Sequence, residues 1–66
     1  MKKYILKANS NEGVIYYMNV IMVTGQVEHA KKYSESELDE AKKDLEHFKM
    51  MFTRSDSIRD FEIVEL

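Results

Sequence analysis

The fold of this 66-residue chain is decided by residues 34–52, whose sequence is SESELDEAKKDLEHFKMMF. Ser34 is a preferred N-cap residue, and Glu37 stands three residues later, where its carboxylate completes a capping box. Tyr33 and Leu38 have the spacing of a hydrophobic staple. Apolar side chains then recur every three or four residues, which predicts one buried stripe made of Leu38, Ala41, Leu45, Phe48 and Phe52. We therefore predict an amphipathic helix from about Glu35 to Phe52.

Strand-forming residues precede this helix and follow it. Residues 2–8 place Tyr4-Ile5-Leu6 between lysines, and residues 14–23, VIYYMNVIMV, are rich in β-branched and aromatic side chains. The cluster between them, residues 9–13, contains asparagine and glycine, which tolerate tight loops. These features predict a β-hairpin with a long second strand. We also predict a short third strand over residues 27–32 and a final strand over residues 59–66.

The predicted order of elements is β-β-(β)-α-β, which is typical of one small α+β domain spanning residues 1–66. We expect a mostly antiparallel sheet of three to four strands with the amphipathic helix on one face. The final strand has to cross over the helix, and its simplest position is beside the first strand.

Composition limits the classes of function. Ten basic and twelve acidic residues give a net charge of −2, so we do not expect nucleic acid to be a partner. The absence of cysteine excludes disulfides, thiolate zinc sites and thiol nucleophiles. The longest apolar run, residues 14–23, is about half the length of a membrane-spanning helix. We predict a soluble, cytoplasmic protein without a membrane partner.

No motif in the sequence points to catalysis. The histidines are His29 and His47, and Lys43 rather than an acidic residue lies one turn before His47. The acidic residues Asp39, Glu40 and Asp44 are expected on a solvated helix face, where nothing would raise a carboxyl pKa. The serines lack a glycine-framed elbow, and two glycines are too few for a phosphate loop. We therefore predict a protein that is not an enzyme and has no metal or cofactor.

The layout of the chain resembles that of a known group of proteins. The start MKKYILK (residues 1–7), the tyrosine-rich second strand, Ala30 and Tyr33 before the capped helix, and the ending FEIVEL (residues 61–66) are similar to small uncharacterised proteins encoded by phages and prophages of Gram-positive bacteria. The resemblance covers most of the chain but contains no functional motif, so it assigns no site residue. It implies an inhibitor or modulator that binds a host protein.

The second predicted strand is apolar on both faces, although one helix covers only one face of a sheet. Side chains alternate along a strand, so residues 14, 16, 18, 20 and 22 face one way and the odd-numbered residues face the other. We assign the even set to the helix and expect an outward-facing contact surface made of Ile15, Tyr17, Ile21 and Val23. His47 and Met50, on the far side of the helical wheel, are added as contact residues.

Two kinds of function remain open at this point. The first is an interaction protein whose uncovered sheet face binds a host protein or a second copy of the chain, forming a dimer. The alternative is a nucleic-acid-binding module in which Tyr16 or Tyr17 stacks on bases.

Overall fold

A computed structural model describes residues 2–66 of the chain. Within these residues five strands form one sheet, and a single α-helix packs on one of its faces. The strands are β1 (Lys3–Ser10), β2 (Gly13–Asn19), β3 (Met22–Thr24), β4 (Tyr33–Ser34) and β5 (Arg59–Glu65), and the helix is α1 (Leu38–Met51). Short 3₁₀ helices span Val27–His29 and Glu35–Glu37. The predicted α+β class, with one helix on a mostly antiparallel sheet, is confirmed, and the sheet has five strands rather than the three to four expected.

Strand β1 is the centre of the sheet. It pairs with β5 along one edge, and along its other edge it pairs with β4 near Lys3 and with β2 from Lys7 onward. All of these pairings are antiparallel, and β3 extends the sheet beyond β2. The predicted position of the final strand beside the first strand is therefore confirmed.

The helix begins as its sequence predicts. The backbone N–H of Ser34 donates a 2.8 Å hydrogen bond to Glu37 Oε1, which is one half of a capping box. The first turn, Glu35–Glu37, is 3₁₀ in geometry, and the α-helical part ends at Met51 with Phe52 as its C-cap. The hydrogen bond from the Ser34 backbone lowers the pKa of the Glu37 carboxyl below its ordinary value.

The apolar stripe of α1 packs on the face of the sheet that carries Leu6, Ala8 and Tyr17. Phe48 is fully buried at the centre of this layer. The centroid of its ring lies 5.6 Å from that of Tyr17, 5.9 Å from that of Phe52 and 5.0 Å from that of Phe61. Aromatic pairs at such distances and inclined angles add to the free energy gained by burial alone.

The single long strand predicted over residues 14–23 is wrong. Strand β2 ends at Asn19, the chain turns through Val20 and Ile21, and β3 runs back from Met22. The side-chain Oδ1 of Asn19 accepts a 2.9 Å hydrogen bond from the backbone N–H of Ile21, the arrangement by which asparagine stabilises turns. Met18 is the extra residue of a β-bulge, because Tyr17 pairs with Val23 while Asn19 pairs with Met22.

The third strand predicted over residues 27–32 is also wrong, since this segment contains the 3₁₀ helix Val27–His29 instead. The segment connects β3 to β4 by crossing β2. Thr24 pairs with Tyr16 on one edge of β2, whereas the backbone N–H of Lys31 donates a 3.0 Å hydrogen bond to the Tyr17 carbonyl on the other edge. We call residues 25–30 the crossing segment.

The crossing segment lies on the sheet face opposite the helix. Tyr33 faces the helix, so its neighbour Lys32 faces the other way. The Lys32 ammonium donates to the backbone carbonyls of Val27, Glu28 and Ala30 at 3.3, 3.1 and 3.2 Å. Ile5 is only 2% exposed, although it alternates with Leu6 and so faces this side. The expectation that this whole sheet face is exposed is therefore wrong at Ile5, which is buried.

Candidate functional site: the hairpin-tip patch

The surface predicted from the odd-numbered residues of the second strand is not where the sequence placed it. Tyr17 is 1% exposed and packs on Phe48. Ile15 and Val23 are half-buried against the same core. These three side chains lie on the sheet face covered by the helix, so the assignment of the two faces was reversed. Tyr17 also has no exposed ring on which a nucleic-acid base could stack.

Of the other three predicted contact residues, Ile21 lies in the β2–β3 turn, and His47 and Met50 lie on α1, which one hydrogen bond connects to that turn. Ile21 is 79% exposed at the turn between β2 and β3. His47 Nε2 lies 3.2 Å from the Val20 carbonyl oxygen, so the ring donates this hydrogen bond from its Nε2–H tautomer. Met50, which is 70% exposed, follows His47 by three residues and therefore lies on the same side of α1.

We call this region the hairpin-tip patch and define it by Val20, Ile21, Met22, His47 and Met50. Val20 is 60% exposed and Met22 is 50% exposed. Both were missed from the sequence because the even-numbered residues had been assigned to the core. Most of the exposed large hydrophobic side chains of residues 2–66 belong to this patch, and Val14 and Leu66 are the others.

The residue types at the turn are unusual for their position. Turns favour Gly, Pro, Asn, Asp and Ser, because these residues either permit the required backbone angles or hydrogen-bond to the local backbone. Here Asn19 supplies the turn-forming hydrogen bond, while Val20 and Ile21 project apolar side chains that remain exposed. Val20, Ile21 and Met22 are consecutive in the chain, and neighbouring exposed apolar side chains mark contact surfaces more often than isolated ones do.

Charged residues flank the patch along α1. Lys43 lies one turn before His47, and none of the ion pairs found within residues 2–66 involves it. Glu46 lies one turn before Met50, and its carboxylate is 3.5 Å from the Lys49 ammonium in an exposed pair. The rim of the hairpin-tip patch therefore carries one basic and one acidic group on neighbouring turns.

A second polar cluster joins β4 to the helix and was not predicted. Asp44 Oδ2 accepts a 2.6 Å hydrogen bond from the Tyr33 hydroxyl and a 3.1 Å hydrogen bond from the Lys31 ammonium. The Lys31 ammonium also lies 5.0 Å from the centroid of the Tyr33 ring. The prediction of a fully solvated Asp44 is wrong, because this residue borders the apolar stripe next to Leu45. We interpret the cluster as structural, since every polar group in it has a partner.

This cluster changes the acid–base properties of its members. Burial, followed by the hydrogen bond to Asp44 and the charge of Asp44, raises the pKa of Tyr33 far above its ordinary value. Burial and the charge of Asp44 also raise the pKa of Tyr17. Burial acts to lower the pKa of Lys31, but the hydrogen bond and charge of Asp44 outweigh it, so the net shift is upward.

A shallow cavity and two absences complete the description of residues 2–66. A shallow cavity of about 340 Å³ lies between the β1–β2 turn and the end of α1, and its lining includes the core side chains Ile15, Val23, Phe52 and Ile58. In this part of the chain no three His, Asp or Glu side chains are grouped so that they could hold a metal ion. None of its helices combines the length and apolarity needed to cross a bilayer.

Comparison with protein-family models, with curated proteins and with solved structures finds no match to this chain. We therefore interpret the hairpin-tip patch from its own exposure, chemistry and position.

Proposed function

We propose that this protein is a non-enzymatic interaction protein that binds another protein chain through the hairpin-tip patch. The observation that supports this most directly is the exposure of Val20 and Ile21 at a turn whose geometry is maintained by Asn19. Burial of apolar surface is favourable by about 25 cal/mol per Å². These exposed side chains therefore favour binding, although they contribute little burial to the fold.

The two methionines of the patch suit a contact surface. Met22 and Met50 have flexible, polarisable side chains, which adjust their shape to a partner more easily than branched side chains do. They flank the stiffer side chains of Val20 and Ile21, and the hydrogen bond from His47 to the Val20 carbonyl fixes the turn against the helix. A turn held in this way loses little conformational freedom on binding, which favours affinity.

The sequence, rather than the structure, indicates the kind of partner. The resemblance to phage-type proteins implies a bacterial host protein that is inhibited by occlusion, and we predict that this contact is made in the cytoplasm. Both statements stay predictions.

Site-specific photocrosslinking tests the proposed function. Met50 is replaced by p-benzoylphenylalanine in the cells that naturally produce the protein, and the matched control carries the same group at Asn11, an exposed position in the β1–β2 turn. We expect a protein adduct of one defined mass from position 50 and none from position 11. Equal labelling from both positions, or no adduct from position 50, would contradict the proposal.

A further inference from the structure

We propose that the partner of the hairpin-tip patch is a second copy of this chain, related to the first by a two-fold axis. This inference rests on the proposed function, because it names the occupant of the same surface, as a second copy in place of the host protein that the phage-type resemblance implies. In a two-fold contact the same patch is used by both copies, so each contact occurs twice.

The charges at the rim of the patch are self-complementary. A two-fold interface is favourable when a group on one copy meets a group of opposite charge on the other, and the reciprocal pair then forms by symmetry. Lys43 and Glu46 provide one charge of each sign beside His47 and Met50. Lys43 has no ion pair among residues 2–66, and the pair between Glu46 and Lys49 is exposed and therefore weak. Lys43 of one copy is thus available to Glu46 of the other.

The size of the core also favours a second copy. Eight hydrophobic side chains are buried among residues 2–66, and three of them, Ala8, Ala30 and Ala41, bury little apolar surface. A chain shorter than roughly 70–80 residues rarely obtains much stability from its core alone, and self-association is one way in which such chains gain burial. Anything that binds only the folded state stabilises it by mass action.

The small extent of the patch sets the strength of the contact. Stable interfaces use about 20–30 residues on each side, and the hairpin-tip patch has far fewer. We therefore expect a weak dimer, with a dissociation constant between about 10 μM and 1 mM.

Sedimentation equilibrium over a concentration series that extends to about 1 mM measures this association directly. The wild type is expected to pass from monomer to dimer, and its melting temperature is expected to rise with concentration. Ile21→Ser should weaken the dimer at least tenfold, because it removes the most exposed side chain of the patch. Val14→Ser is the matched control, since Val14 is exposed outside the patch, and it should leave the dissociation constant unchanged.

Variants that reverse the charges of Lys43 and Glu46 distinguish a two-fold contact from other modes of association. Lys43→Glu and Glu46→Lys should each weaken self-association several-fold, because each places like charges opposite one another. An equimolar mixture of the two variants should form a heterodimer at least as tight as the wild-type dimer, since both rim pairs are then attractive.

A wild type that is monomeric at every concentration, a dimer insensitive to Ile21→Ser, or a mixture that associates no better than its components would overturn the inference. If the wild type is monomeric but position 50 still crosslinks to a different protein, the proposed function stands and only the second copy is excluded. If neither contact is found, both proposals fail.

Discussion

The hydroxyl of Tyr33 donates a 2.6 Å hydrogen bond to Asp44 Oδ2, which ties strand β4 to the middle of helix α1. Tyr33 is fully buried, so its hydroxyl has no access to bulk water and depends on this partner. Asp44 also accepts from Lys31, which places a charge-assisted network at the border of the core. The network joins β4 to α1 three residues before His47, whose ring contacts the β2–β3 turn.

This network predicts that the protein loses stability in alkali. Because the pKa of Tyr33 is raised in the folded state, its proton is released more easily on unfolding. Its contribution is fully present below the ordinary pKa of 10.0 and decreases as the pH rises above that value. The raised pKa values of Tyr17 and Lys31 act in the same direction.

Urea unfolding at several pH values between about 8 and 11 measures this decrease. Tyr33→Phe should be less stable than the wild type near neutral pH by about 1–2 kcal/mol. Its free energy of unfolding should also decrease less than that of the wild type as the pH rises. Tyr4→Phe serves as the control, since the Tyr4 hydroxyl forms no hydrogen bond within residues 2–66. If the free energies of unfolding of the wild type and Tyr33→Phe decrease equally as the pH rises, Tyr33 does not cause the loss of stability in alkali.

The helix start gives a second prediction. Ser34→Ala removes the side-chain half of the capping box, so the free energy of unfolding should fall by about 1 kcal/mol. Ser36→Ala is the comparison, because it removes the 2.9 Å hydrogen bond between the Ser34 and Ser36 hydroxyls but leaves both halves of the capping box in place. Urea midpoints of the two variants and the wild type provide the measurement. If Ser34→Ala unfolds at the wild-type midpoint, the cap contributes nothing to stability.

The third prediction concerns Asp60, which has a φ of 60°. Lys7 pairs with Glu62 and Asn9 pairs with Arg59, so Ala8 faces two residues of β5 and the strand bulges at Asp60. Asp60 Oδ2 accepts a 3.0 Å hydrogen bond from the Asn9 amide. Asp60→Val should destabilise the fold by about 1–3 kcal/mol, because a β-branched residue is strained at positive φ.

Two further variants separate the effect of backbone strain at Asp60 from the effect of its hydrogen bond to Asn9. Asp60→Gly relieves the backbone strain but loses the hydrogen bond to Asn9, whereas Asp60→Asn tolerates the positive φ. We expect both to be more stable than Asp60→Val in urea melts. Equal stability of Asp60→Val and Asp60→Gly would mean that the bulge imposes no backbone constraint.

Much of the fold could be predicted from short-range patterns. Ser34 and Glu37 mark the helix start, Phe48 lies on the apolar stripe, and the last strand pairs with the first. The first two features depend on neighbouring residues or on one amphipathic period, whereas the third follows from the rules for connecting strands within one sheet. The turn at Val20 and Ile21 could not be found in this way, because its residues are typical of strands and only Asn19 interrupts the run.

The faces of the second strand were assigned wrongly for a related reason. Both faces of β2 are apolar, so alternation identifies two sets of side chains without saying which set contacts the helix. The bulge at Met18 then changes the alternation within the run. The crossing segment, on the sheet side opposite the helix, shows no hydrophobic periodicity in its sequence. Its conformation involves contacts such as that of the Lys32 ammonium with the Val27 carbonyl.

The candidate site could be predicted only in part. The exposure of Met50 follows from the helical wheel, and His47 lies on the same face. Their proximity to Ile21 could not be predicted, since the contact that establishes it joins His47 to Val20 across 27 residues of chain.

The most direct measurement of the central claim combines stability and crosslinking in one variant. Ile21→Ser is made in the protein that carries p-benzoylphenylalanine at position 50. If Ile21 serves a contact rather than the fold, the free energy of unfolding, measured at a concentration at which the protein is monomeric, should stay within about 0.5 kcal/mol of the parent, and the crosslinked adduct should be lost. An adduct that persists, or a destabilisation of more than about 1 kcal/mol, would contradict the role of the hairpin-tip patch as a contact surface.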